Sequence, residues 1–409
     1  MDDREIELIE RVRAIFTAYG RMSANDYDRR TDIPDKPSRA SLRKRIGSWT
    51  TICELVGDVE PKNDDTPGPN NQYLVLQNER LRREIEKLSN INQVIIENCL
   101  GSIAKCSFTP VRIPPPERIA RQQEFHAMRS DDQIGEVVDS DWTQGVGSYD
   151  FDLFRERQER WCERLVTFRE QDKNSLGLNK LVIYMLGDHV DGELIYKGQA
   201  YNIEFGVIDQ LVQGVREYTD AILTLAGAFP KIEIFCVPGN HGRHGKKGEG
   251  HPRSNFDYLF AKMLQEALRR QSNVTVYVSE SPTMIVQNGN YTFALNHFSD
   301  VKSWNGIPYY GLDRMARRLT DLYGMIINYK LGGHFHISAS LNDDEILING
   351  TIVGGSDLSI NGMKIASRPS QKIFYFDQER GINRMTNIHL ADKIALTADE
   401  RGIYTAYSK

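Results

Sequence analysis

The sequence predicts an α/β protein preceded by a small helical domain and one long coiled-coil helix, and three observations carry that reading. From about residue 106 onward, short apolar runs that end in polar, Gly-containing turns alternate with longer helical stretches, as in a sheet domain wound with helices. Between residues 73 and 99, Leu74, Leu81, Leu88 and Ile95 recur every seven residues. Before that, Ile6, Ile9, Val12, Ile15, Phe16 and Tyr19 recur at helical spacing and stop at Gly20.

The chain has 409 residues, enough for one large core with appendages. Its formal net charge of −5 gives no global basic field, so any contact with nucleic acid must be local. The five cysteines, Cys53, Cys99, Cys106, Cys162 and Cys236, are scattered without Cys-x-x-Cys spacing and read as reduced thiols of a cytoplasmic protein. The charged N-terminus has no apolar leader, and no long uncharged apolar run follows, which argues against secretion and membrane spanning.

Five segments follow from these patterns: a helical unit over 1–58, a linker over 59–71, a coiled-coil helix over 72–104, the large domain over 105–392 and a tail over 393–409. In the first, a helix is expected over 4–19, a second over 24–30, and a Ser38-capped helix running to Trp49, with a last short one over 50–56. Between Lys36 and Arg45 there are five basic residues and no acidic one; Arg39, Arg43, Lys44 and Arg45 are the candidate nucleic-acid contacts. A solvated basic helix face is the alternative. The run from the first helix through Pro37-Ser38 to Leu42-Arg43-Lys44-Arg45-Ile46-Gly47-Ser48-Trp49 resembles the small helical repeat associated with homing endonucleases, and that resemblance implies DNA binding.

In the long helix, Asn78, Ile85, Asn92 and Cys99 fill the second seam position of the same heptads. Leucine at one seam position with asparagine twice at the other specifies a parallel two-stranded coiled coil, so a homodimer through 73–99 is expected. A single amphipathic helix lying on the large domain is the alternative.

In the large domain, chemistry should gather where strands end. Five ends carry polar residues: Asp131 and Gln133 after 125–129, Asp188 after 181–186, Asn240, His241 and Arg243 after 232–237, His297 after 291–295, and His334 with His336 after Leu331. Two histidines at i and i+2 share one side of an extended backbone, a metal-ligand spacing. A site for two divalent ions about 3.5–4 Å apart needs a bridging carboxylate, oxygen donors and imidazoles, and these ends offer that set.

The order Asp, Gly-Asp-x-x-Asp-Gly, Gly-Asn-His, His, Gly-His-x-His resembles the calcineurin-like metallophosphoesterases over roughly residues 107–390. Ser-Asp-x-x-Ile-Gly-Glu-Val-Val, Val-Pro-Gly-Asn-His-Gly-Arg, Ser-Asn-Phe-Asp and the late Asn-Gly-Thr are similar to a phage and prophage subgroup. The resemblance implies a two-sheet β-sandwich flanked by helices. It makes Asp188 the bridge, puts Asp131, Gln133 and His336 on one ion, and puts Asn240, His297 and His334 on the other. It gives His241 the leaving oxygen, as proton donor or as transition-state stabiliser, and Arg243 a phosphate oxygen, unless Arg243 is a surface residue of its basic loop. Gln133 departs from the family, which usually has His there; its neutral amide oxygen should hold the ion more weakly and favour Mn or Mg over Zn. Manganese is the expected metal, with Mg, Ni, Co or Fe as alternatives. The expected function is a metal-dependent phosphodiesterase acting on DNA. The alternatives are a phosphodiesterase or phosphatase of small nucleotides, and a DNA-binding dimer with a vestigial site.

Overall fold

A computed structural model describes residues 2–57, 69–106, 108–119, 122–143, 145–193, 195–196, 198–245, 254–302, 308–356, 358–362 and 367–392. The expected C-terminal tail and most of the expected linker lie outside them, and residues 69–71 of that linker are helical. The chain divides into two compact units, Met1–Ser89 and Asn90–Lys409.

The first unit opens with four helices, α1 (Asp3–Tyr19), α2 (Ala24–Arg29), α3 (Arg39–Arg45) and α4 (Trp49–Val56). Asp2 and Glu5 close a reciprocal capping box on α1, and Ser23, Ser38 and Ser48 cap the other three, each satisfying an orphan N–H of a first turn. Ile9, Val12, Phe16, Tyr27, Leu42 and Ile52 make one small core. The expected helix from Ser38 to Trp49 is shorter than the sequence suggests. Gly47 adopts φ +121°, outside the range of an L side chain, so α3 stops at Arg45 and Trp49 opens α4, against the ring of Tyr27. The basic run is also thinner than it reads. Lys36 donates to the carbonyls of Tyr27 and Arg30 and so closes the end of α2, and Arg39 pairs with Asp28 at 3.2 Å. Arg43, Lys44 and Arg45 remain exposed.

Helix α5 spans Pro69–Lys105. Of the expected seam, Asn78 and Leu81 are exposed, Ile95 and Cys99 pack into the core of the large domain, and the side chains of Leu74, Ile85, Leu88 and Asn92 lie outside the described residues.

The large domain has the two-sheet α/β architecture the sequence led us to expect. Its strands and helices are β1 (Glu124–Arg129), α6 (Phe151–Leu176), β2 (Lys180–Met185), α7 (Val207–Ala228), β3 (Lys231–Cys236), α8 (Phe256–Leu268), β4 (Val274–Val278), β5 (Thr283–Asn288), β6 (Tyr291–Asn296), α9 (Tyr309–Tyr323), β7 (Tyr329–Gly332), β8 (Ala339–Leu341), β9 (Ile346–Ile348), β10 (Ser370–Asp377) and β11 (Gly381–His389). One sheet runs β11-β10-β1-β2-β3-β4, the other β5-β6-β7-β9-β8. β1 to β4 are parallel neighbours joined through α6, α7 and α8, and β6, β7 and β9 are parallel in the second sheet.

Period-2 alternation explains why two apolar layers form. Along β2, Leu181, Ile183 and Met185 face the helices, packing with Trp161, Leu211, Tyr218 and Phe260. Val182, Tyr184 and Leu186 face the other way, into the layer between the sheets with Phe293, Leu295, Leu331 and Phe374. Both faces of the strand are buried, which is why it reads as a continuous apolar run. Because β1, β2, β3, β6 and β7 run in register with parallel neighbours, their C-terminal ends come to one edge of the sandwich.

Candidate metal centre

All seven expected ligands leave those C-terminal ends, and the loops carrying them are stitched to one another. The N–H groups of Asp131 and Gln133 donate to the carbonyls of Gly187 and Asp188 at 3.1 and 3.0 Å, zipping the loop after β1 to that after β2. Close approach requires glycine: a Cβ at Gly239 would lie 2.1 Å from Asp188 Oδ1, and one at Gly333 would lie 2.3 Å from Asp131 Oδ2. Asp131, Gln133, Asp188, His334 and His336 all have positive φ, between +45° and +76°. Five strained non-glycine residues at one edge are a local cost that the surrounding contacts must hold in place, a pattern concentrated at functional sites.

Two donor groups result. Nitrogen and oxygen ligand atoms of Asp188, His297 and His334 all lie within 4.8 Å of one another. Beside them, His336 Nε2 is 3.4 Å from Asp131 Oδ1 and 3.3 Å from the Gln133 amide nitrogen, and His297 Nε2 is 3.9 Å from Asp131 Oδ1. His334 falls in the first group and His336 in the second. Gln133 Oε1 and Asn240 Oδ1 are buried without a hydrogen-bond partner among the described residues. Asp188 Oδ2 makes an ion-pair contact with His297 Nε2 at 2.7 Å.

The electrostatics follow from burial and from the close approach of carboxylates and imidazoles. Burial should raise Asp131 and Asp188, yet both are pulled below the usual carboxylate range, Asp131 by His336 and His297, Asp188 by His297 and His241. Burial pulls His297 down, but the charges of Asp188 and Asp131 outweigh it and lift the imidazole to about 9. His334 is pushed down to about 4 by burial and by the charge of His297, so it is a neutral imidazole with a free lone pair. Two buried carboxylates thus rely on titratable imidazoles for compensation, since the nearby Arg129 is committed to Asp132 at 2.8 Å. Carboxylates, amide oxygens and imidazoles with orphaned buried donors match the donor set of hard-to-borderline divalent cations such as Mn, Fe or Zn.

The supports come from residues whose roles the sequence did not disclose. Asp257, at the start of α8, accepts the N–H groups of Asp188 at 2.8 Å, His189 at 3.0 Å and Gly239 at 2.8 Å, holding two ligand loops with one carboxylate. Asn255 caps the same helix and donates to the Gly239 carbonyl at 3.0 Å. The legible signal was Ser254-Asn255-Phe256-Asp257, an N-cap followed by an acidic first turn. Behind Asp131, Ser130 donates to its carboxylate, Asn349 donates to Ser130 Oγ at 3.0 Å, and Thr351 donates to the Asp131 carbonyl at 2.8 Å. That gives the Asn-Gly-Thr motif its job. His189 Nδ1 meets Asp132 at 2.7 Å, a buried pair beneath the site.

His241 stands at the mouth. Its N–H donates to Asp188 Oδ1 at 2.7 Å, its Nδ1 lies 2.8 Å from Asp191 Oδ1, and its Nε2 is 4.0 Å from Asp188 Oδ2. Burial opposes its charge, but Asp188, Asp191 and Glu136 overcome it and raise the imidazole to about 10. Glu136, buried beside this pair, is pushed up to about 8 by burial and by Asp191. Arg243 is tied back by Nε to the Asn240 carbonyl at 2.9 Å. Arg39, Arg43, Lys44 and Arg45 belong to the first compact unit.

No family model matches the chain, and no curated protein does. Among solved structures, Vacuolar Protein Sorting 29 from Cryptosporidium parvum aligns with 66% of this chain and 99% of its own, at 14% identity and a TM-score of 0.30. Zinc-complexed Vps29 from Entamoeba histolytica covers 65% and 99%, at 12% identity and a TM-score of 0.28. A structure described as a novel archaeal phosphodiesterase covers 64% and 99%, at 9% identity and a TM-score of 0.28. At such values the chemistry rests on the chain's own strand order and donor cluster. Among the described residues no helix is long and apolar enough to cross a membrane.

Proposed function

We propose that this protein is a two-metal phosphodiesterase that hydrolyses DNA as a nuclease, with manganese as its working metal. One observation carries the reading: ligand atoms of Asp188, His297 and His334 lie within 4.8 Å of one another, the buried amide oxygens of Gln133 and Asn240 have no hydrogen-bond partner among the described residues, and His241 is held by the Asp191 carboxylate. Asp188 would be shared, with Asp131, Gln133 and His336 on one side and Asn240, His297 and His334 on the other. When bound, two divalent ions supply Lewis-acid activation of water and neutralise charge developing at phosphorus.

The chain's own contribution is position and a proton. Asp191 accepts from His241 Nδ1, which fixes the ring and keeps Nε2 protonated and turned toward the cluster. A protonated Nε2 at that point can donate to the departing oxygen of a diester as a general acid. The exposed Arg43, Lys44 and Arg45 support nucleic acid as the substrate, the α5 heptads support a parallel homodimer, and the scattered cysteines support a cytoplasmic setting.

The test is hydrolysis of linear and circular, single- and double-stranded DNA beside bis(p-nitrophenyl) phosphate, with Mn, Mg, Ni or Co. Cleavage of DNA and the chromogen is expected. Turnover of neither with any metal would refute the enzyme, and turnover of the chromogen alone would move the substrate to a small nucleotide.

A further inference from the structure

Helix α9 leaves the metal site by one face and turns its other face to solvent. Leu312 and Ala316 pack with Phe298, which follows His297, and with Ile346 and Ile348; Phe335, between His334 and His336, joins the same cluster. The start of the helix abuts the segment leaving β6 so closely that a Cβ at Gly311 would lie 2.4 Å from the Lys302 carbonyl oxygen. The opposite face is set by helical spacing: Tyr310, Arg314, Arg317 and Arg318 recur at three- and four-residue intervals. Tyr310 is 83% exposed, the most exposed aromatic of the helix. Arg317 pairs with Asp313 at 3.0 Å, whereas among the described residues Arg314 and Arg318 have no carboxylate partner and are exposed.

We infer that this face of α9 is the track for a single strand of nucleic acid, with the Tyr310 ring stacking on a base and Arg314 and Arg318 contacting successive phosphates as the strand leaves the metal centre. An exposed aromatic ring followed by unpaired guanidiniums on one face is what a strand with unstacked bases needs, and a paired duplex offers no free base face to such a ring. From Tyr310 to Arg318 the track rises about 12 Å, on a helix whose buried face packs with Phe298 and Phe335, the chain neighbours of His297, His334 and His336. The basic run of the first unit lacks an aromatic among its exposed residues, so the strand preference belongs to α9.

The inference rests on the phosphodiesterase reading, and the two are separable. In the full-length protein with chelator present, fluorescence anisotropy of a labelled short oligothymidylate should weaken roughly ten-fold in Tyr310→Ala and recover in Tyr310→Phe. In Arg314→Ala/Arg318→Ala the slope of log affinity against log salt should fall by about 1.4. Manganese-dependent hydrolysis of bis(p-nitrophenyl) phosphate should stay at the parent rate in all three, while kcat/KM on the oligonucleotide falls in Tyr310→Ala and in Arg314→Ala/Arg318→Ala. Unchanged affinity and slope, an equal loss on duplex of the same sequence, or a parallel loss of chromogen hydrolysis would each overturn the track. A parent protein that binds the oligonucleotide in this way but hydrolyses no diester would sink the enzyme and leave the track standing.

Discussion

The Asp257 carboxylate accepts the backbone N–H of Asp188 at 2.8 Å, so a residue 69 positions downstream sets the direction of the carboxylate assigned to bridge the two ions. Its other acceptances, from His189 and Gly239, tie that residue to the loop carrying Asn240 and His241. Replacement by Ala strands buried N–H groups and should lower stability by roughly 3 kcal/mol, read by thermal denaturation. Asp257→Asn keeps one acceptor oxygen, so it should fold while binding manganese more weakly. Unaltered manganese affinity in a folded Asp257→Asn protein would mean the loops hold their register without this carboxylate.

Metal binding should be coupled to protons. His297 is raised to about 9, His241 to about 10 and Glu136 to about 8, so each contributes stability to the metal-free protein that is fully present below its unfolded pKa and lost as pH rises through the folded one. The depressed Asp131 and Asp188 act oppositely: their stabilisation is present above about pH 4 and lost on acidification. The metal-free protein should therefore lose stability progressively from about pH 4.5, where Glu136 ionises in the unfolded chain, to about pH 10, where folded His241 gives up its proton. Manganese, which needs a deprotonated His297, should raise Tm more at pH 8.5 than at pH 6.5, and calorimetry in two buffers should find close to one proton released near neutrality. Asp188→Ala should abolish turnover, bind no second ion and keep its circular dichroism spectrum.

His241 and Asp191 act as a pair only if a proton moves to the leaving group. His241→Ala should lower kcat on DNA by roughly 10²- to 10⁴-fold with little change in KM. On bis(p-nitrophenyl) phosphate, whose leaving group needs no proton, the loss should be much smaller. Asp191→Asn removes a charge that raises His241 and should move the alkaline limb of the rate profile to lower pH. Equal losses on both substrates would instead give His241 a purely electrostatic or structural role.

What the sequence disclosed, and what it hid, divides by range. The five ligand-bearing strand ends were legible because each is an apolar run stopped by a polar residue, and period-2 burial makes such runs conspicuous. The helices of the first unit were legible from Gly20 and the serine caps. The service of Asp257 to Asp188, of Asp191 to His241 and of Thr351 to Asp131 was not, because each joins residues 50 to 220 positions apart through contacts with no local period. The local use of Lys36, counted in the basic run, was hidden for the same reason: its ammonium folds back on the carbonyls of Tyr27 and Arg30, which charge counting cannot see.

The α5 heptads make a separate prediction about assembly. Leu81 and Asn78 are exposed in a single chain, as seam residues awaiting a partner would be, while Ile95 and Cys99 are already used by the large-domain core. A dimer seam would therefore have to use the heptads from Leu74 to Asn92, where asparagine at two positions favours two strands at a cost in stability. Light scattering should give a dimer. Asn78→Leu/Asn92→Leu should raise thermal stability and shift or broaden the mass, whereas a monomeric parent protein would assign α5 to the large domain alone.

Gln133 is the point at which the site can be improved. Its Oε1 is buried without a partner, its Nε2 lies 3.3 Å from His336 Nε2, and it stands at φ +45°, a conformation that histidine tolerates better than most residues. An amide oxygen is a neutral, hard donor, so the ion shared with Asp131 and His336 should exchange readily and suit Mn or Mg. Gln133→His replaces it with an imidazole of borderline softness, which should tighten that ion by at least about ten-fold and move the preference toward zinc. Metal content after dialysis, measured with Mn and Zn in competition, checks this directly. Retention of one ion in the parent protein and two in the variant is expected; two equally retained ions in both would show that Gln133 already binds as firmly as an imidazole, and that the weak point of the centre lies elsewhere.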